Sequence, residues 1–365
     1  MINLHFFPSR RIALYTVKLF VTRSLAVLFA LVLVLMTLDL LGESGKILAV
    51  PGNGEAELWR YVSLRVPLLV SRFLPFAVLL GTLIAFTGLN QHSEVVAMKA
   101  AGISAHQMLA PLILASLVIA GALFVFNERV VVNANRQVTV WGDNDYRPVP
   151  PTTGTLSRVW ILHGNDLVEA DRVGGHGEGF HAEGVTIYER QNGELQRVVR
   201  AARAEPVPGA WRLTDVRVYD SAMNVVRRLP ETTALQGVQP EQLTLAKVDP
   251  DQLDFWTLKE RIGQLERAGR PTAEASAGLW HKVSGPLSTI LMPLLAATAA
   301  FGLARSGQVL LRATIGMALG FAYFVADNFS LAMGNVGAYP PIMAAWAPFV
   351  LFLLIGETVL IRSEE

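Results

Sequence analysis

Apolar residues in this chain gather into six long blocks, three towards each end, at residues 24–41, 66–90 and 107–126 and again at 283–304, 309–334 and 342–361. A bilayer core is crossed by about 20 predominantly apolar residues in a helix. The blocks therefore predict six transmembrane helices in two groups of three. The long stretch between the groups has another rhythm. Short runs at 159–162, 167–170, 185–189, 195–199, 211–219 and 225–229 are rich in valine, isoleucine and aromatic residues. They are separated by turn signals, notably His163-Gly164-Asn165-Asp166 and Gln191-Asn192-Gly193. Evenly spaced short strands of this kind predict an all-β sandwich or jelly roll. The expected fold is an α-helical membrane protein with an inserted all-β domain, divided into segments 1–127, 128–278 and 279–365.

Local chemistry refines the connections. Residues 12–23 mix Tyr15, Leu19 and Phe20 with Lys18 and Arg23, which predicts an interfacial amphipathic segment ahead of the first span. Residues 91–106 lie between the second and third spans and predict a short helix along the membrane surface. Asp249-Pro250-Asp251-Gln252 carries a cap, a first-turn proline and a capping-box glutamine, predicting a helix over 250–268. The N-terminus has no small-residue cleavage site after its apolar block, so it reads as a retained span. With six spans, Arg10, Arg11, Lys18, Arg23, Lys99, Arg305, Arg312 and Arg362 fall on the side of the termini. The positive-inside bias then puts the inserted domain outside the cytoplasm, although Lys46, Arg60 and Arg65 lie on the opposite side.

Composition narrows the function classes. The chain is 52% hydrophobic and carries a net charge of +1, so it lacks the basic excess of a nucleic-acid binder. It has no cysteine, which excludes disulfides, thiolate metal sites and a cysteine nucleophile. Gly42-Glu43-Ser44-Gly45-Lys46 fails as a phosphate loop because the spacing is short and Ile47 replaces the required hydroxyl residue. His163, Asp166, His176, Glu178 and His181 include a glycine-rich run too loose to orient metal ligands. No cofactor, metal site or catalytic residue is expected.

The remaining candidates are charges beside apolar segments. Asp39, Lys46, Arg65 and Arg72 accompany the first two spans and could meet an anionic, phosphate-bearing amphiphile. For Lys46 and Arg65, snorkelling to the surface is the alternative. Asp327 and Asn328 in the fifth span are candidates for a gate or for helix packing. Glu94, with Met98, Lys99 and Gly102, marks a surface suited to docking in a partner's groove.

Ser93-Glu94-Val95-Val96-Ala97-Met98-Lys99-Ala100-Ala101-Gly102 resembles a signature of the LptF/LptG permeases of lipopolysaccharide export. Trp280-His281-Lys282 with Gly285-Pro286-Leu287, Asp249-Pro250, and Asp327-Asn328 followed by Gly337 and Pro340-Pro341 resemble further family motifs, nearer the LptG branch. The resemblance implies an inner-membrane subunit of an ABC transporter, paired with a paralogous LptF-type permease on a dimeric LptB-type ATPase. It implies that the helix of Glu94 is the coupling helix, that the first and fifth spans form a lateral gate, and that Lys46 lies where relatives place cations against lipid phosphates. It further implies a periplasmic β-jellyroll delivering lipopolysaccharide to LptC- and LptA-type bridge proteins. A membrane-anchored scaffold and a lipid-modifying enzyme are the competing readings; the absence of a nucleophile, acid pair or metal spacing counts against the enzyme.

Overall fold

The computed structural model describes residues 8–148, 156–174, 180–191, 194–220, 224–238, 243, 248–267, 270–301 and 309–364. Two compact units emerge, one of residues 1–138 with 249–365 and one of Thr139–Val248. The helices are α1 (Arg10–Leu48), α2 (Glu55–Gln91), α3 (Glu94–Ala100), α4 (Ala105–Phe126), α5 (Val132–Asp143), α6 (Phe255–Arg267), α7 (Ala273–Phe301), α8 (Val309–Asn335) and α9 (Pro341–Glu364).

Five helical stretches among the described residues are long and apolar enough to cross a membrane: Arg10–Leu48, Glu55–Gln91, Ala105–Asp143, Thr314–Asn335 and Pro341–Arg362. Helix α7 carries the start of the fourth expected span, 283–304, which runs on past Phe301 beyond the described residues. The expected interfacial segment and first span are a single 39-residue helix, α1. With no intervening helix breaker, its hydrogen-bond ladder runs on unbroken. After the third apolar block, a π-helical turn (Asn127–Val131) joins α4 to α5, so helix continues to Asp143.

Phe20, Leu79, Phe86, Met108, Leu109, Leu112, Leu291 and Leu295 form the centre of the helical core. Small residues let the helices approach closely, as in other membrane bundles. At Gly81 of α2, a Cβ would lie 2.3 Å from Ser24 Oγ of α1, so only glycine permits this crossing.

The predicted helix over 250–268 is corrected in detail. Asp249 does cap, accepting from Asp251 N at 2.9 Å and from Gln252 Nε2 at 2.7 Å. What it opens is only a three-residue 3₁₀ turn, Pro250–Gln252, because Leu253 is extended. Asp254 starts α6 instead, accepting from the amides of Trp256 and Thr257 and from the Thr257 hydroxyl at 2.6 Å.

The second unit contains β1 (Leu156–His163), β2 (Asp166–Gly174), β3 (His181–Gln191), β4 (Glu194–Val207), β5 (Ala210–Asp220) and β6 (Val225–Ala234). All six expected strands are present, each longer than its apolar run. They form one antiparallel sheet in sequence order. The β1–β2 hairpin turns at Gly164, whose φ is +60°, with His163 opposite Asp166. In the expected Gln191-Asn192-Gly193 turn, Asn192 and Gly193 lie outside the described residues.

Buried positions alternate along each strand until one common row, where the alternation slips by a residue. Val168 and Ala170 give way to Val173 in β2, Ala182 to Val185 and Ile187 in β3, and Val199 and Ala201 to Ala204 in β4. Trp211 and Leu213 give way to Val216 in β5. The row itself holds Asp171, Gly184, Ala202, Asp215 and Pro230, and cross-strand pairing pauses there before resuming in unchanged register. Gly184 and Asp215 have left-handed backbones there, with φ of +61° and +51°. An extra residue bends a strand and sharpens its twist. Placed in adjacent strands at one row, it creases the sheet and keeps both halves on a single core around Trp211, whose Nε1 donates to Val238 O at 2.8 Å.

A Cβ at Gly184 would fall 2.1 Å from Asp171 Oδ2 as well as straining the backbone. Gly184→Ala is expected to destabilise the sheet by about 1–3 kcal/mol. Hydrogen exchange on the full-length protein should accelerate in β2 and β3 and leave α7 unchanged. For α6, the hydrogen bonds from Thr257 hold the Asp254 carboxyl below the ordinary carboxylate range. A depressed folded value stabilises above the unfolded value, near 3.9, and is lost as pH falls through the folded one. Asp254→Ala should lower protection of α6 amides by about 1 kcal/mol at neutral pH, and the difference between the two proteins should narrow in acid.

Candidate functional site

Helix α3 is bracketed by two left-handed residues, Ser93 (φ +57°) and Gly102 (φ +81°), which fold it back between α2 and α4. Ser104 and Gln107 then start α4 with a reciprocal capping box, at 3.2 and 3.0 Å. Val95 is buried and Met98 half-buried against the helical core, so they seat α3. Val96, 65% exposed, forms the outward face with Ala97, Lys99 and Ala100. Glu94 is half-buried and accepts a hydrogen bond from Tyr15 Oη of α1 at 3.2 Å. Of the expected docking residues, then, Lys99 and Gly102 are exposed, whereas Met98 and Glu94 fasten the helix.

Two of the cations beside the first two apolar segments have acidic partners. Asp39 and Arg65 pair in a two-pronged salt bridge, at 3.0 and 3.1 Å, and Tyr61 Oη donates to the same carboxylate at 2.8 Å. Arg65 is thus already answered by an acid. Lys46 pairs with Glu43 at 2.8 Å on the exposed side of α1. The stretch from Gly42 to Lys46 is helical, so its amides are spent within the helix and cannot cradle a phosphate. Arg72 is exposed on α2 and makes no ion pair with another described residue.

Two pairs radiate from adjacent residues of α7. His281 Nε2 lies 3.0 Å from Asp327 Oδ2 of α8. Lys282 Nζ lies 3.4 Å from Glu128 Oε1 on the π-helical turn, with both side chains under 15% exposed. Glu128 also accepts from the backbone amide of Phe255, at the start of α6. Beside it, Ser71 Oγ of α2 donates to Asn127 Oδ1 at 2.6 Å. Asp327 therefore partners His281 and not Asn328, which is exposed and bonds the Phe324 carbonyl of its own helix.

Sequence reasoning missed Glu128. Its only signal is an acid directly after the third apolar block, a place where a charge needs a partner.

The histidine candidates separate. Asp166 is taken up by the Arg190 amide at 3.0 Å, and His181 lies 3.9 Å from Glu183. His176 and Glu178 lie outside the described residues, as does Arg305. Among the described residues no three His, Cys, Asp or Glu side chains converge as metal ligands. The described residues offer a short helix with an exposed outer face and paired charges on neighbouring helices.

The family model for the lipopolysaccharide export system permease LptF/LptG matches residues 14–362. The chain belongs to the LptF/LptG family. A lipopolysaccharide export system permease protein LptG of Escherichia coli strain K12 is 29% identical over 83% of this chain and 85% of its own length. The LptG protein of Haemophilus influenzae is 24% identical over 86% of this chain and 89% of its own. Family membership and the apolar helices together describe a multi-pass membrane permease, and they give the α3 segment and the Glu128 junction the context of a transporter component.

Removing one partner of a nearly buried ion pair costs about 3–5 kcal/mol because the other charge is left unanswered. Lys282→Met and Glu128→Gln should each lower the detergent-solubilised melting temperature. The double variant should recover part of the loss in a double-mutant cycle; strict additivity would mean the two charges are not coupled.

Proposed function

We propose that this chain is a permease subunit of an ABC transporter that extracts lipopolysaccharide from the outer leaflet of the inner membrane. In this reading it pairs with a paralogous LptF-type permease and rides on a cytoplasmic LptB-type ATPase dimer. The six apolar blocks all span, and α1 and α8 contribute to the lateral gate. The sheet is the periplasmic portion, a jelly roll that passes the lipid to LptC- and LptA-type bridge proteins. The observation that carries the reading is the LptF/LptG match running through nearly all of both membrane segments and the sheet.

Physical chemistry supports the division of labour. Drawing a multi-acyl lipid from a bilayer exposes many methylenes at about 0.8 kcal/mol each. Such a cost calls for an energy source, and the chain has no nucleotide-hydrolysing motif. The exposed face of α3 gives a partner ATPase a place to push, and Val95 and Met98 give the push a route into the helical core. Asp39, Lys46, Arg65 and Arg72 act at the lipid-facing side. Because Arg65 and Lys46 already have acidic neighbours, Arg72 is the foremost of them for direct contact with lipid phosphate.

Val96→Asp places a charge on the exposed docking face and should abolish co-purification of the ATPase while leaving membrane insertion intact. Glu94→Ala and Tyr15→Phe loosen the seat of α3 and should each weaken ATPase recovery several-fold, with Tyr15→Phe the milder. Affinity purification from the native membrane reads both. Undiminished ATPase recovery with Val96→Asp would exclude α3 as the coupling helix, and recovery of the chain without any ATPase would favour the scaffold.

A further inference from the structure

The register of the sheet creates an arrangement that its sequence conceals. Arg200 of β4 lies directly opposite Arg217 of β5, which lies directly opposite Arg228 of β6. All three are exposed and share one face, since directly paired residues point to the same side. Neighbouring strands are about 4.8 Å apart, so the row places three guanidinium-bearing residues across about 10 Å. Like charges directly opposite one another destabilise a sheet, yet here the arrangement is repeated across two successive strand pairs.

The rest of the sheet provides the contrast. Arg172 pairs with Glu183, Arg203 with Glu205, and Arg212 with Glu231, at 3.3, 2.9 and 3.0 Å, and Arg197 pairs with Glu189. In the row, the one described acid paired with Arg217 is Asp215 at 3.7 Å, within its own strand. Arg200 lies over the Tyr219 ring at 5.7 Å. Arg228 makes no ion pair with another described residue. Glu169, further along the row, accepts a hydrogen bond from Tyr188 at 3.1 Å. Tyr188 stacks on Trp160 with ring centroids 6.0 Å apart, and Trp160 is 43% exposed. The face therefore combines an under-neutralised arginine row with a strip of partly open aromatic rings.

We propose that this face binds the phosphorylated sugar headgroup of the transported glycolipid, an inference that rests on the permease reading above. Guanidinium groups meet phosphate oxygens in two-pronged, charge-assisted bonds, and a row spanning about 10 Å suits a headgroup with more than one phosphate. The aromatic strip offers flat apolar surface with polar edges to the sugar rings. The opposite face, with Trp211 and Phe180 among its aliphatic residues, is buried and spent on the core.

The test titrates the full-length protein, in detergent, with a water-soluble disaccharide bearing two phosphates and with its unphosphorylated counterpart, followed by calorimetry. The phosphorylated sugar should bind the parent protein and the Arg203→Gln/Arg212→Gln control alike. It should bind the Arg200→Gln/Arg217→Gln/Arg228→Gln variant at least about tenfold more weakly, the unphosphorylated sugar failing throughout. The triple variant should melt at or above the parent temperature, since it loses like-charge repulsion; a lower melting point with unchanged sugar affinity would assign the arginines a structural role. Equal affinity in the triple variant, no binding to the parent, or equally tight binding of inorganic phosphate would overturn the headgroup site, as would an acidic peptide held on the row that the sugar cannot displace. ATP-driven release of lipopolysaccharide from vesicles by the purified complex, measured in parallel, reads the permease assignment alone. Its failure with sugar binding intact would strike that assignment and leave a phosphosugar site on the sheet.

Discussion

A nearly buried charge must be answered, and in the helical unit Glu128 answers one while also capping a second helix. One carboxylate meets the Lys282 ammonium and the first amide of α6, and it does so from a π-helical turn between α4 and α5. A π turn inserts an extra residue and rotates the helix beyond it, a device common at functional positions. Here it turns an acid towards α7 at the point where apolar helix gives way to polar chain. Without that acid, Lys282 would keep its charge in a poorly solvated place and α6 would start on an orphaned amide. The sequence neighbour His281 faces α8 and meets Asp327. Helix α7 is thus fixed from two sides by adjacent residues, and register is set by polar pairs where lipid-like packing alone discriminates poorly between alternatives.

The two units solve the same burial problem by different chemistry. In the helical unit, small residues let backbones meet, as at Gly81 against Ser24, and a few charge pairs fix the alignment. In the sheet, a continuous apolar face centred on Trp211 and Leu213 supplies the cohesion, and the crease at Gly184 and Asp215 keeps both halves of the strands on it. A strictly alternating strand would turn half of its apolar residues away from that core. The slip of one residue is therefore the condition for long strands to share one side.

How much of this was legible depends on the range of each cause. The apolar blocks and the strands were readable because hydrophobic periodicity is local, and the family motifs tied them together. Helix limits were less so. Asp249-Pro250 carries good start chemistry, but whether a helix propagates is decided by Leu253 turning extended and by Asp254 offering a second cap. The junction at Glu128 was visible only as an acid after an apolar run, because its partner stands 154 positions away. Arg65 read as a free cation for the same reason: Asp39, its neutralising partner, lies 26 positions back on another helix. A net charge of +1 likewise says nothing about the arginine row, which exists only once β4, β5 and β6 have chosen their register.

Helix α1 shows how attachment strength can be graded along a single element. It packs mainly on α2 and more lightly on α4, while Phe29, Leu33 and Leu41 remain more than half exposed. Its polar ties are Tyr15 to Glu94 at one end and Asp39 to Arg65 at the other. At 1.5 Å per residue these ties stand about 36 Å apart, more than the roughly 30 Å of a bilayer core. A bilayer core lying between them leaves both ties at its interfaces, where water and lipid headgroups compete for the same groups and an ion pair contributes modestly. Between them, the close Ser24–Gly81 crossing depends on dispersion at short range, which fades steeply once backbones separate. A helix held this way keeps its height and rotation at rest and can still part from its neighbours sideways at a cost far below that of unfolding. That is the mechanical property the proposed lateral gate needs, and α7, clamped on two sides, cannot supply it.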